Sequence, residues 1–408
     1  MKKIDRSRLL TYHSCPRAYY WNYEHDGMGV VSPKLSIPLA TGSTVHLGLE
    51  ALLKGTSVDE AVGHALTAYD ELADASRGIA NNDPAQFDYT VAEQSALVEA
   101  LVRIYALRGL LALLADYEVI EVEGEYEWPL TDTIHFMSRL DGVLRRRDDG
   151  TIWVLSFKTD SGANLDGKLA EARLDLQGLT EPLAIDGTGR WPSAMGVKME
   201  WLVKGPWRSA DGTGLKWQDT HLVRPWMRDG QFAWRYFTPC PGTPHATTRY
   251  RAGKPYTWMC DGGDGNHALG NTWERVPIWQ IMPIKEWVDM LAAGGVQPDA
   301  GDPLAGALYL PPPIVRLPGD AICRRLQLAA EAEDIADRAS ATNLHSIVDI
   351  ALNSYWPQHT DKCLHWFGGT CPYHDICWAV EGSNPLDGYV PRVPNHPTEL
   401  IQLEANVL

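Results

Sequence analysis

The chain has 408 residues, 45% of them apolar and 22% charged, which fits a folded globular protein and argues against disorder or a fibrous repeat. A formal charge of −16 argues against binding a polyanion through net charge, so any nucleic-acid contact has to be regional. No run approaches the roughly eighteen apolar residues of a membrane span, and the first thirty residues lack the apolar stretch of a signal peptide, so a cytoplasmic protein is expected.

Residues 5–25 read as a helix carrying Leu9, Leu10, Tyr12, Tyr19 and Tyr20. It should bend at Cys15-Pro16, because an internal proline removes one helical hydrogen bond, and the bend would turn Cys15 inward. Gly42 to Leu53 read as a helix with Leu49, Leu52 and Leu53 on one stripe and His46 near its start. Capping boxes at Ser57-x-x-Glu60 and Thr90-x-x-Glu93 predict two more helices, the second running to about Ala115. Ile120, Val122, Gly124, Tyr126 and Trp128 alternate with polar and acidic residues, the pattern of a half-exposed strand.

The stretch from Arg139 to Lys158, RLDGVLRRRDDGTIWVLSFK, reads as two strands joined at Asp149-Gly150. A two-residue turn there pairs Asp148 with Thr151, Val143 with Ser156 and Asp141 with Lys158, placing a carboxylate and an ammonium on one face. Leu165 to Ile185 follow as a helix on which Arg173, Gln177 and Glu181 would form one polar stripe. Met195–Lys204 and Leu215–Val223 read as two more strands.

From there to about Pro318, Pro, Gly and Trp dominate, with ten of the sixteen tryptophans between Trp191 and Trp287. Pro311-Pro312-Pro313 looks like the exit linker of an insertion. Between Asp186 and Trp258 there are eleven Lys/Arg against five Asp/Glu, a regional surplus that suits phosphate contact. Cys240, His245, Cys260 and His267 could form a zinc site, although their spacing matches no strong pattern. Asp320–Ala339 and Leu344–Tyr355 read as helices, with Cys323 expected to be buried on the first. Cys363, Cys371 and Cys377 fall within fifteen residues among turn-forming glycines, a ligand cluster that leaves one vertex open for tetrahedral zinc or a four-iron cluster.

Several of these pieces, in this order, resemble the RecB-type branch of the PD-(D/E)XK nucleases, which includes the RecB and AddB nuclease domains, CRISPR-associated exonucleases and many phage exonucleases. They are Gly42-Ser43-Thr44-Val45-His46, Arg139-Leu140-Asp141-Gly142, Ser156-Phe157-Lys158-Thr159 and the helix holding Gln177 and Glu181. The resemblance implies a restriction-endonuclease-like α/β core, a mixed central sheet flanked by helices, with a Trp/Pro/Gly-rich insertion and an iron–sulfur staple. It implies that His46 and Asp141 bind Mg²⁺ or Mn²⁺, that Lys158 assists hydrolysis, and that Gln177 contacts the site and its DNA. It also implies Cys15 as the fourth ligand, beside Cys363, Cys371 and Cys377, of a [4Fe–4S] cluster. Two positions depart from the family pattern: Ser156 stands where a second metal-binding acid belongs, and Glu181 where a tyrosine belongs. Glu181 or Glu171 are the acids nearest in sequence that could compensate.

The expected activity is metal-dependent DNA exonuclease, in a bacterial or phage protein that acts on single strands or DNA ends and can work with a recombination or replication protein. The alternatives are an inactive nuclease fold that binds DNA or a partner, and a zinc-stapled structural protein. The expected division is a helical part over 1–116, a nuclease-like core over 117–224, an insertion over 225–318 and a cysteine-bearing end over 319–408.

Overall fold

The computed structural model describes residues 2–32, 37–77, 84–160, 165–173, 176–204, 207–208, 222–228, 231–237, 247–251, 254–258, 279–283, 307–317, 319–343, 352, 354–363, 371–378, 386 and 388–393. The chain begins with a strand that four residues are too short to reveal by periodicity, β1 (Lys2–Asp5). The Asp5 carboxylate accepts the Arg8 N–H at 2.8 Å and so starts α1 (Arg6–Ser14). At Cys15 the backbone is extended, and Pro16 opens α2 (Pro16–Tyr19), followed by a π-helical turn over Tyr20–Glu24. The predicted bend therefore forms, and Cys15 is buried in it. β2 (Val30–Val31) follows.

Next come α3 (Ile37–Leu53), α4 (Val58–Arg77), α5 (Pro84–Ile104) and, beyond a π-helical turn at Tyr105–Gly109, α6 (Leu110–Asp116). The first capping box forms ahead of α4: Ser57 N–H donates to Glu60 Oε2 at 3.1 Å, and Glu60 N–H to Ser57 Oγ at 3.3 Å. The second does not mark a helix start. α5 already begins at Pro84, whose missing N–H costs nothing in a first turn, so Thr90 and Glu93 fall inside the helix.

The sheet is assembled from β3 (Tyr117–Pro129), β4 (Ile134–Arg146), β5 (Ile152–Asp160) and, after α7 (Leu165–Ala172) and α8 (Leu176–Thr188), β6 (Gly196–Val203). The single helix expected over 165–185 is two, and Arg173 lies beyond the end of α7, so the three-residue polar stripe does not exist. One edge of β4 carries β3 antiparallel; its other edge carries β1 parallel at the start and β5 antiparallel at the end. β6 lies parallel to β5, reached through the α7–α8 crossover.

A four-stranded sheet of β7 (Trp207–Arg208), β8 (Leu222–Arg228), β9 (Gln231–Phe237) and β12 (Trp279–Pro283) and a hairpin of β10 (Thr247–Arg251) and β11 (Lys254–Trp258) follow in sequence. The strand expected over Leu215–Val223 overlaps β8 only at its end, and its first part lies outside the described residues. So do the four residues of the suggested zinc site and most of the helix expected over Leu344–Tyr355.

The triple proline is no linker. It joins β13 (Leu308–Tyr309) to β14 (Ile314–Val315), which both pair with β6, and the Pro311 carbonyl accepts from Lys198 Nζ at 2.8 Å. Proline is tolerated there because an edge needs no donor on its outer side. The long helix Asp320–Asn343 leaves Cys323 exposed rather than buried. β15 (Val390–Pro391) pairs with β2.

The sheet is covered on both faces, which explains the uninterrupted apolar run of β5. Val143, Ile152 and Val154 pack with Leu9, Tyr19, Trp128, Leu183 and Trp356 on one side. Leu144, Trp153, Leu155 and Phe157 pack with Val45, Leu49, Ala65, Leu101 and Tyr105 on the other.

The β4–β5 connection is longer than the two-residue turn predicted. Arg146 N–H donates to Thr151 O and Gly150 N–H to Arg146 O, both at 2.9 Å, leaving Arg147-Asp148-Asp149-Gly150 as a loop. The Asp149 carboxylate accepts Thr151 N–H at 2.9 Å and its hydroxyl at 2.6 Å, and Gly150 takes a φ of 71° that favours glycine. Pairing slides by two residues in consequence, and Val143 faces Val154 instead of Ser156. An even slip leaves every side chain on its predicted face, but brings Asp141 level with Ser156 rather than Lys158.

Candidate active site

The β4–β5 ladder ends at the pair Gly142–Leu155, and beyond it the strands part. The Asp141 side chain takes over where the backbone pairing stops: its Oδ2 accepts the Phe157 N–H at 2.6 Å. Helix α3 can lie over this junction because of Gly42, where a Cβ would come within 2.8 Å of Thr159 Oγ1. One turn further along α3, His46 Nδ1 sits 3.3 Å from Asp141 Oδ1, and its ring meets Phe157 edge-on at 6.0 Å. Another turn on, the same stripe carries Glu50.

Burial works against ionising Asp141, but His46, the Phe157 N–H and the nearby Lys158 outweigh it and hold its carboxyl below the usual range. Lys158 thus acts on Asp141 despite the shifted register. Ser156 is completely buried. Gln177 is the second residue of α8. Of the two acids expected to compensate, Glu171 is exposed on α7 and Glu181 is buried on α8.

The residue missed from sequence is Glu123. It lies in β3 opposite Asp141, between the pairs Val122–Gly142 and Gly124–Leu140, and has a φ of 53°. Burial, then the Asp141 charge, push its carboxyl up to about 7, with Glu50 adding and Arg139 and His46 opposing. Its ion pair with Arg139 Nε spans 2.8 Å. The only sequence signal was the alternation of acids along β3, which reads equally well as a solvated face.

That environment has a measurable consequence. A carboxyl with a raised folded-state pKa favours the folded state at low pH and loses that contribution as pH rises through about 7. Metal-free Glu123→Gln should therefore melt higher than the parent at pH 8, with the difference shrinking towards pH 5, in thermal denaturation followed by circular dichroism.

The second constellation lies where the chain's two ends meet. Arg17 Nε donates to Trp356 O at 2.7 Å, and the Trp356 ring stacks on Tyr19 at 5.5 Å. Tyr373 OH donates to Val30 O at 3.1 Å, and Arg392 Nε to Met28 O at 3.1 Å. Within this seam the Cys15 sulfur accepts the His359 N–H at 3.5 Å, Cys363 Sγ reaches His359 O at 3.9 Å, and Cys371 N–H donates to Cys363 O at 3.0 Å. Burial first, with Cys15 and Cys363 adding and the Tyr373 N–H opposing, pushes the Cys371 thiol up. Burial, with Cys371 and Cys15 adding and Trp21 and Arg17 opposing, pushes Cys377 up to about 11. Cys371 therefore feels Cys15 and Cys363, and Cys377 feels Cys371 and Cys15, while His359, which sequence did not single out, bridges Cys15 and Cys363.

Both donor sets fit a metal by their chemistry. One imidazole with carboxylates suits Mg²⁺ or Mn²⁺, and four sulfurs suit iron–sulfur or zinc. Among the described residues, no group of three or more His, Cys, Asp or Glu side chains is arranged to hold a metal ion. No helix among them is long and apolar enough to cross a membrane.

A mixed sheet flanked by helices, with a carboxylate, a lysine and a histidine where its central strands part, is a restriction-endonuclease-like α/β fold. Residues 6–198, a little under half of the chain, match the family model of the PD-(D/E)XK nuclease superfamily. That family implies nuclease activity, a DNA substrate and Mg²⁺ or Mn²⁺ as the usual metal. No curated protein matches the chain.

Proposed function

We propose that the chain is a metal-dependent deoxyribonuclease of the RecB type, hydrolysing phosphodiester bonds from DNA ends. The observation that carries this reading is the strand junction, where Asp141 is held at 2.6 Å by the Phe157 N–H and at 3.3 Å by His46, with Lys158 next along β5. His46 and Asp141 would hold Mg²⁺ or Mn²⁺, which when bound supplies Lewis-acid neutralisation of phosphate charge and an activated water. Lys158 places a second positive charge beside the carboxylate, where it can hold a phosphate oxygen and stabilise the negative charge developing there. Gln177, at the start of α8, is the proposed DNA contact on the helical side. Linear and circular DNA incubated with the protein and Mn²⁺ test the end requirement: loss of linear DNA alone supports it, and equal loss of circular DNA makes the enzyme an endonuclease.

The basic region is the proposed DNA path, with β7–β12 as an accessory unit. By register, Arg208, Arg224, Arg228 and Arg235 occupy positions on one face of its four-stranded sheet, and Arg224 stands opposite Arg235. Neutralising Arg224, Arg228 and Arg235 together should weaken DNA binding and lower its salt slope by about one unit per lost phosphate contact. Fluorescence anisotropy at several salt concentrations reads this directly, and an unchanged slope would place the path elsewhere.

Cys15, Cys363, Cys371 and Cys377 are the proposed ligands of a [4Fe–4S] cluster clamping the chain ends. One observation favours a second reading, in which the nuclease fold is inactive and binds DNA or a recombination partner: Ser156 is completely buried and brings no charge to the site.

A further inference from the structure

The missing acid at position 156 poses a charge problem that the opposite edge of β4 can solve. Asp141 lies one residue beyond the last β4–β5 pair, Gly142–Leu155, and on the other edge of β4 Glu123 falls between the pairs Val122–Gly142 and Gly124–Leu140. Glu123 falls between the pairs that flank Asp141, and both Asp141 and His46 act electrostatically on its carboxyl, so the two carboxylates are near neighbours. Glu123 is one of two non-glycine residues among those described with a positive φ, the other being Asp26 in a turn near the N-terminus. Its side chain is only 14% exposed, whereas its ion-pair partner Arg139 is 57% exposed. The buried end of this pair therefore faces the site, and the cation is the member free to leave.

We propose that Glu123 supplies the second carboxylate of the divalent-metal site, joining Asp141 and His46 from β3 in place of the acid that Ser156 lacks on β5. Arg139 is the cation that occupies Glu123 in the absence of metal and moves outward, along its solvent-facing path, when metal arrives. This inference rests on the nuclease reading for the identity of His46 and Asp141 as ligands, and it adds the residue that completes the charge. It also accounts for the buried serine: with the acid on β3, position 156 need carry no charge. Glu50, one helical turn beyond His46, adds negative charge around the same point, and Lys54 forms an ion pair with it.

The test is Mn²⁺ binding to the full chain, measured by calorimetry and by the loss of the free-ion electron paramagnetic signal, with no DNA present. Glu123→Gln keeps the shape of the side chain and should weaken Mn²⁺ binding about tenfold or more, since even groups outside the ligand shell change affinity by about 10–100-fold. Glu123→Asp should retain part of the affinity, and Ser156→Asp added to Glu123→Gln should recover it. Arg139→Gln should bind Mn²⁺ at least as tightly as the parent, because it removes the competitor. Melting curves of the metal-free variants show whether each is folded. Mn²⁺ affinity unchanged in folded Glu123→Gln overturns the proposal, as does a parent that binds no Mn²⁺. A parent that binds Mn²⁺ through Glu123 yet cuts no DNA leaves this assignment standing and refutes the nuclease reading; a parent that cuts DNA equally well as Glu123→Gln does the reverse.

Discussion

Asp141→Asn is expected to lower DNA cleavage by roughly a hundredfold or more, since even supporting groups around a metal commonly account for 10–100-fold. Asparagine keeps an oxygen that can accept the Phe157 N–H, now 2.6 Å from Asp141 Oδ2, so the strand junction should survive. What is lost is the charge, the one carboxylate that His46 and Lys158 both act on. Cleavage rate and melting temperature measured side by side separate the two effects. An inactive variant with a parent-like melt is the expected outcome. Cleavage at the parent rate would remove Asp141 from the chemistry.

Cys363→Ala should be the most disruptive substitution away from the active site. Closing a loop from Cys15 to the C-terminal cysteines restricts the unfolded chain, by analogy with a long disulfide loop worth about 4–5 kcal/mol. The same ends are also held by the Arg17–Trp356, Tyr373–Val30 and Arg392–Met28 hydrogen bonds, so losing the cluster should leave a loosened seam that aggregates readily. Iron content, visible absorption and soluble yield after anaerobic purification should fall together in Cys363→Ala. Stoichiometric zinc and no iron in the parent protein would contradict the iron–sulfur assignment.

The parts of this molecule legible in sequence are those set by local chemistry. Pro16 announced the break that buries Cys15, Ser57 and Glu60 announced the start of α4, and the spacing from Gly42 to His46 announced the helix over the site. What was not legible depended on distant partners. The Asp149 carboxylate bonded to Thr151, which lengthened a turn that Asp-Gly alone suggests is tight and moved the register by two. The prolines at 311–313 read as a linker because nothing local shows that β6 offers them an edge. Glu123 was hidden for a similar reason. Its role depends on standing across a ladder from Asp141, and an acid in an alternating strand looks like a solvated residue until the partner strand is known.

Whether this site cuts DNA although Ser156 replaces an acid is read by incubating the natural protein with end-labelled DNA across a titration of Mn²⁺. Cleavage should be absent in chelator, rise with Mn²⁺ and saturate at the concentration where Mn²⁺ binding to the free protein saturates. DNA that is bound but left intact at every Mn²⁺ concentration would contradict it.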